Sequence, residues 1–282
     1  MIKACILGAD SPLAGQLIRI LIHHPDVEIV SAVSAALAGK PLTAHHRGLV
    51  GDTELCFTAA PDAADKCNVI FVAEGAVPAV DDPDVRIVDL TGQALGLPDF
   101  VPGVCELNRK ALVRGATRAV AVPAAVQAAV IGLLPLSLAQ SLDGKVTVSG
   151  VTDVELELIE NMLRTVQPHL RANFMAVPGA EGVYTLQVEN HLDSRQLHDI
   201  YNEIYCDHNF VFTVPEEPVP ADVANTNKCL INLKTDPAAA TLAIALVLDP
   251  RIKGSAGNAV HIMNLLFGLH ERTGLGLLSL GR

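Results

Sequence analysis

The sequence predicts an α/β protein. Its first half is a Rossmann-type doubly wound parallel sheet, and an α+β domain follows. Three observations carry this expectation. Apolar runs of strand length alternate with helical patterns through the first half, which implies a parallel sheet covered on both faces. A glycine-containing turn joins the first strand to the first helix. After about residue 143 the pattern shifts to alternating strands and separate helices, as in a mixed or antiparallel sheet.

The elements follow in order. Residues 2–7 form an apolar run that ends at Gly8. Ser11-Pro12 supplies an N-cap and a proline for the first helical position, and Leu13, Leu17, Ile20 and Leu21 recur with helical spacing. Residues 27–33, 68–73 and 85–90 read as further buried strands. Residues 145–149 form a strand, and Thr152 to Glu155 has capping-box spacing that opens a helix to about Val166. Residues 183–188 alternate as a half-buried strand, 196–205 are helical, and 210–214, 229–233 and 242–248 are strands. Lys253 to Gly257 precedes an apolar helix over about 259–269.

Composition excludes several classes. The chain has 282 residues, half of them hydrophobic and 18% charged, which argues against disorder. Its net charge of −11 argues against a nucleic-acid partner, since phosphate contacts need clustered Lys and Arg. No strongly basic stretch offers itself to an anionic membrane surface. Residues 119–142 carry no charge and are long enough for a membrane span. Pro123, Gln127, Gly132 and Pro135 interrupt them, and a strand followed by a buried helix is the better reading. The start at Met-Ile-Lys shows no leader pattern. The six cysteines form no C-x-x-C pair and read as free thiols in a reducing cytoplasm. The histidine pairs at 23–24 and 45–46 lack helical metal-site spacing, and no metal site is expected.

The turn Gly8-Ala9-Asp10-Ser11 stands where backbone amides would approach a pyrophosphate. Ser11 and Ala14 replace glycines of a spaced-glycine fingerprint. Asp10 adds a carboxylate that, about 5 Å from a phosphate at an effective dielectric near 20, is repelled by roughly 3 kcal/mol. The turn reads equally as a weakened dinucleotide site and as an ordinary strand–turn–helix. Ser34 and the run Ala38-Gly39-Lys40 lie where an adenosine ribose or its 2′-phosphate would sit and suit NADP; taken alone, they read more readily as a solvated loop.

Several segments resemble one family. Val104-Cys105-Glu106-Leu107-Asn108-Arg109, Gly132-Leu133-Leu134-Pro135-Leu136, Asn225 to Cys229 and the stretch from Lys253 to Leu269 occur in the order found in N-acetyl-gamma-glutamyl-phosphate reductases. The run from Leu21 to Glu28 fits as well. The resemblance implies an NADP-binding domain over 1–122, completed by the C-terminal helix within 251–282, and a substrate and dimerisation domain over 123–250. It also implies the family chemistry, a step in arginine biosynthesis. A cysteine thiolate attacks an acyl phosphate, and hydride from NADPH then releases an aldehyde with the help of a histidine.

The matching catalytic positions lack those groups. With Gly132 to Pro135 as anchor, the nucleophile falls on Ala124, and the histidine falls on Met175. The family's substrate loop after Gly150 is missing, and Asp89 to Gln93 lacks the Asp and Arg that members carry there. Cys105 and His169 are the only candidates to stand in. No catalytic residue is therefore assigned. The residues left to contact a weakened NADP site are Gly8, Ala9, Ser11, Ser34, Gly39, Gly254 and Asn258. The expected protein is a cytoplasmic, non-catalytic binding, regulatory or subunit protein. It would form a homo-oligomer or pair with a related subunit. The alternative is an NADP-dependent oxidoreductase, either the reductase itself or one with cysteine-independent chemistry.

Overall fold

The computed structural model describes residues 1–61 and 66–281. They form two compact units. One is Met1–Val122 with Ser255–Gly276, and the other is Pro123–Gly254 with the chain from Leu277 onward.

The first unit begins with β1 (Ile2–Leu7), α1 (Pro12–Leu21), β2 (Val27–Val33), the short α2 (Leu42–His45), β3 (Val69–Val72), β4 (Arg86–Asp89), β5 (Val101–Pro102), α3 (Cys105–Val113) and β6 (Arg118–Val120). All strand pairs are parallel, in the order β2-β1-β3-β4-β6-β5. The chain steps outward from β1 to β2 and then crosses to β3 on the other side. The crevice between β1 and β3 is thus the topological switch point where such sheets take ligands. One expectation fails: β3 and β4 are joined without an intervening helix. The Asp89 carboxylate shapes the loop after β4 instead. It accepts bonds from the Thr91 and Ala94 amides and the Thr91 hydroxyl.

The second unit holds α4 (Ala124–Leu138), β7 (Lys145–Ser149), α5 (Asp153–Arg164), β8 (Asn173–Val177), β9 (Val183–Glu189), α6 (Ser194–Tyr205), β10 (Val211–Thr213), α7 (Pro220–Val223), β11 (Cys229–Asp236) and β12 (Thr241–Leu248). The sheet order is β10-β11-β12-β9-β7-β8, parallel at its two outer pairs and antiparallel between. The capping box predicted at Thr152 forms, with Glu155 bonding back to the Thr152 amide. A second one forms at Asp193 with Gln196. Strand β8 covers Phe174 to Val177, a segment not recognised as a strand from its pattern.

Helix α4 is the centre of this unit. Residues 126–137 are all buried, so it has no polar face and is enclosed on every side. Pro135 lies inside it. A proline has no N–H, so the carbonyl of Ile131, four residues back, loses its helical donor. The Tyr205 hydroxyl supplies the replacement by donating to that carbonyl. The Tyr201 hydroxyl donates to the next one, Gly132 O, at 2.5 Å. Both tyrosines are buried and come from α6.

A π-helical turn over Ile252–Ala256 leads to α8 (Gly257–Leu266), every residue of which is buried. From Ser255 the chain belongs to the first unit, so the predicted return over 251–282 is narrower at both ends. Its last residue, 282, lies outside the described residues. Asn264 fixes the return. Its Nδ2 donates to the carbonyls of Glu271 and Thr273, at 3.1 and 2.8 Å, which leaves Oδ1 as an acceptor facing His24 Nε2 at 3.1 Å. The other ring nitrogen of His24 accepts the Asp26 amide. The two bonds together require the neutral ring with its proton on Nε2. Nearby, the Glu271 carboxylate meets His261 Nε2 at 2.9 Å and Arg109 Nε at 2.6 Å.

Two outcomes follow from these contacts. Tyr205→Phe strands the Ile131 carbonyl in the core and is expected to cost about 1–3 kcal/mol, read from urea unfolding. Burial lowers the His24 pKa below its ordinary 6.5, with the Asn264 bond and Asp26 opposing. The unfolded chain therefore takes up a proton that the folded chain refuses. Stability should fall as pH drops through 6.5, and His24→Gln should flatten that slope.

Candidate functional site

In the first unit the candidate site is the carboxyl edge of β1 and β3. Gly8 lies at φ +70°, where glycine is favoured, and a Cβ there would come within 2.4 Å of Glu74 Cβ. This glycine is thus required by the packing of the two strand ends, independently of any ligand. Ala9 is fully buried, and its amide bonds Val33 O at 2.9 Å. Ser11 is an N-cap: its hydroxyl accepts the Ala14 amide at 3.1 Å, its carbonyl accepts Gly15, and its own amide bonds Gly8 O. Pro12 has no N–H.

The turn's carbonyls are held too. His46 Nε2 donates to Ala9 O at 2.7 Å and His45 Nε2 to Asp10 O at 2.8 Å. His46 also fills the space beside Gly15, where a Cβ would meet its Nδ1 at 2.7 Å. The paired histidines thus brace the turn, a role their sequence spacing did not suggest. With Asp10 and the exposed Glu74, two carboxylates flank this edge.

The other predicted contacts separate. Ser34 is buried, with its amide bonded to Thr58 O. Gly39 lies at φ +81° with open space around it, next to exposed Lys40. Asn258 has both ends engaged: Nδ2 donates to Gly103 O at 2.6 Å, and Oδ1 accepts from the Cys105 thiol at 3.6 Å. It clamps the start of α3 to α8. Gly254 belongs to the second unit.

In the second unit Ala124 is the first residue of α4. A Cβ on Gly254 would come 2.5 Å from Ala124 Cβ, so the two residues meet directly. Leu248, at the end of β12, packs at the same point. The strand register places the Leu248 end of the sheet beside Val183 and Ser149. His169 is an exposed turn residue before β8, at the opposite end, where Asn173 pairs with Lys145. It cannot stand in for a base at Ala124. Met175 lies mid-strand in β8, 43% exposed. Strand β7 passes into α5 through three residues, Gly150, Val151 and the N-cap Thr152. Among the described residues no three metal-ligating side chains converge.

Residues 3–114 match the semialdehyde dehydrogenase NAD-binding domain, and residues 159–250 match the semialdehyde dehydrogenase dimerisation domain. The N-acetyl-gamma-glutamyl-phosphate reductase of Parabacteroides distasonis is 33% identical, with 98% of each chain covered. The chain belongs to this semialdehyde dehydrogenase family. The reductase of Phocaeicola vulgatus is 31% identical over 98% of each chain. The Parabacteroides alignment spans 323 positions and covers 98% of the 282 residues here, so that family member carries more than forty positions that this chain lacks. In fold, the chain is similar to aspartate semialdehyde dehydrogenase II of Vibrio cholerae. The TM-score is 0.70 at 16% identity, covering 95% of this chain and 99% of that one. Among the described residues no helix is long and apolar enough to cross a membrane.

Thiol labelling tests whether Cys105 replaces the family nucleophile. It is 1% exposed, whereas Cys56 and Cys206 are exposed. Iodoacetamide should modify Cys56 and Cys206 in the native protein and reach Cys105 only on unfolding. Preferential labelling of Cys105 would reinstate it as a nucleophile.

Proposed function

We propose that this chain is a non-catalytic member of the N-acetyl-gamma-glutamyl-phosphate reductase family, acting as a binding, regulatory or subunit protein. The observation that carries this reading is Ala124 at the head of α4, in contact with Gly254. A methyl group forms no thioester, so the acyl-transfer half of the family reaction has no acceptor. Met175 at the histidine position and the three-residue link after β7 support the same reading.

The dinucleotide turn also fits NADP poorly. Ser11 and Pro12 consume or remove the amides that would cradle a pyrophosphate, and Asp10 and Glu74 repel one. Any residual cofactor contact would rest on Gly8, Ala9 and Ser11 at the turn and on Ser34 and Gly39 at the ribose end. Gly254 and Asn258 serve packing. NADP, if held when bound, would supply a hydride, and no residue here is positioned to use it through a covalent intermediate. The open surroundings of Gly39 and Lys40 favour the second reading, an NADP-dependent oxidoreductase with cysteine-independent chemistry. The matched dimerisation domain supports an oligomer, either of identical chains or with an intact relative. A cytoplasmic setting agrees with its biosynthetic relatives.

Phosphate-dependent reduction of NADP with the N-acetylated semialdehyde is the deciding assay. The expected rate lies at least about a thousand-fold below an intact family member, as removal of a nucleophile implies. A comparable rate would refute the non-catalytic reading. Titration with NADPH separates the second reading, which requires binding below millimolar cofactor.

A further inference from the structure

The sheet of the second unit has one covered face and one open face. A Cβ on Gly132 of α4 would meet Leu186 and Leu246, so the face that carries those residues is the covered one. Side chains alternate along a strand, and Thr185, Gln187 and Glu189 of β9 stand exposed on the other. The register sets Gln187 opposite Thr147 of β7 and Glu189 opposite Thr241 of β12. A cavity of about 300 Å³ opens there, at the lower end of the range for small-molecule sites. Lys145, Thr147, Gln187, Glu189, Ala240 and Thr241 line it. It lies at the opposite end of the strands from Leu248 and Ala124, on the face turned away from α4.

The charges in this cavity are not joined to each other. Glu189 Oε2 accepts the Lys145 amide at 3.2 Å. Gly144, at φ +67°, packs against the same carboxylate: a Cβ there would come 2.5 Å from Oε2. The carboxylate is thus held by the backbone at the start of β7, with Oε1 left over. Among the described residues, no ion pair includes the Lys145 ammonium. Opposite charges on neighbouring strands ordinarily stabilise a sheet by pairing. Here an unpaired ammonium and a half-engaged carboxylate stand apart. Beside them are the Gln187 carboxamide and two threonine hydroxyls, which can donate or accept.

Ala240 forms part of the wall at φ +50°, in the left-handed region that side chains rarely adopt. Its carbonyl accepts the Asn190 amide at 2.9 Å, which pins the turn. Glycine would serve that turn with less strain, but it would take the methyl group from the wall. Strain of this kind gathers where a ligand is clamped.

We propose that this cavity binds a free α-amino acid. The ligand carboxylate meets the Lys145 ammonium, and the ligand ammonium donates to Glu189 Oε1. Gln187 and the two threonines complete the contacts with neutral groups. A zwitterion satisfies both charges at once. A simple anion would face Glu189 and a simple cation would face Lys145, so each forfeits one contact and meets a repulsion. The cavity is small and leaves room for a short side chain against the Ala240 methyl group. This site goes beyond the proposed function and is independent of it, because no residue of the Ala124 corner takes part.

Calorimetric titration of the full chain with L-alanine, beside sodium propionate and ethylammonium chloride, tests the site. L-Alanine should bind with a dissociation constant on the order of 1 mM, within the limit for so few atoms. Propionate lacks the ammonium and ethylammonium lacks the carboxylate, and each should bind at least about five-fold more weakly, as loss of an exposed ionic contact implies. Lys145→Met and Glu189→Gln should each weaken L-alanine at least about five-fold. Both positions are exposed, and a glutamine at 189 can still accept the Lys145 amide, so both variants should melt within about 2 °C of the unaltered chain. Absence of L-alanine binding, equal binding of propionate or ethylammonium, or unchanged L-alanine binding in either variant overturns the proposal. Acyl-phosphate turnover in the separate rate assay would instead defeat the non-catalytic reading, whatever the L-alanine titration shows.

Discussion

Helix α4 has no polar face, and this constrains everything around it. A helix apolar on all sides must be covered on all sides, so the second unit wraps β9, β12, α5 and α6 around it. The proline at 135 sharpens the demand, because it leaves a carbonyl in the core that only a side chain can satisfy. Tyr205 meets that need and Tyr201 the next carbonyl, which fixes α6 against α4 by direction as well as by area. The position of Ala124, at the head of the same helix, is set by this arrangement. The candidate site is thus held by contacts several turns away from it.

Several residues of this chain have a packing role of their own. These are the close contact of residues 124 and 254, the Asn258 clamp on α3, and the glycine at the end of β1. Each has a packing reason to persist, visible as a collision or a hydrogen bond. Ala124 and Met175 occupy their places without disturbing the fold. The presence of the packed residues is therefore no guide to activity, since packing alone accounts for them.

Much of the fold was legible because local signals and burial agree. The Ser11-Pro12 start, the Thr152 capping box and the apolar runs of β1 to β4 each depend on residues a few positions apart. Strand β8 was not legible. Its residues 173–177 are half-exposed at a sheet edge and carry no clean alternation. The helix expected between β3 and β4 is replaced by a loop, which its prolines and aspartates foreshadow. At the site, the expectation of alanine at position 124 in the family's nucleophile place came from residue order alone. The brace formed by His45 and His46 could not, because it joins residues some 35 positions apart. The burial of Gln127 was equally hidden: a single glutamine in an apolar run reads as a break until the helix is seen to be enclosed.

The first unit is assembled from both ends of the chain. Its helix α8 is fully buried, and the Asn264 contacts with His24 join residues 240 positions apart. On a ribosome, residues 1–122 are made first but lack this helix until nearly the whole chain has emerged. The sheet of the second unit, by contrast, is complete once β12 has been made. Synthesis proceeds from the N-terminus, yet the unit that begins the sequence is among the last to close. For most of translation its α8-facing apolar surface stays uncovered, so newly made chains depend on protection there that finished molecules do not.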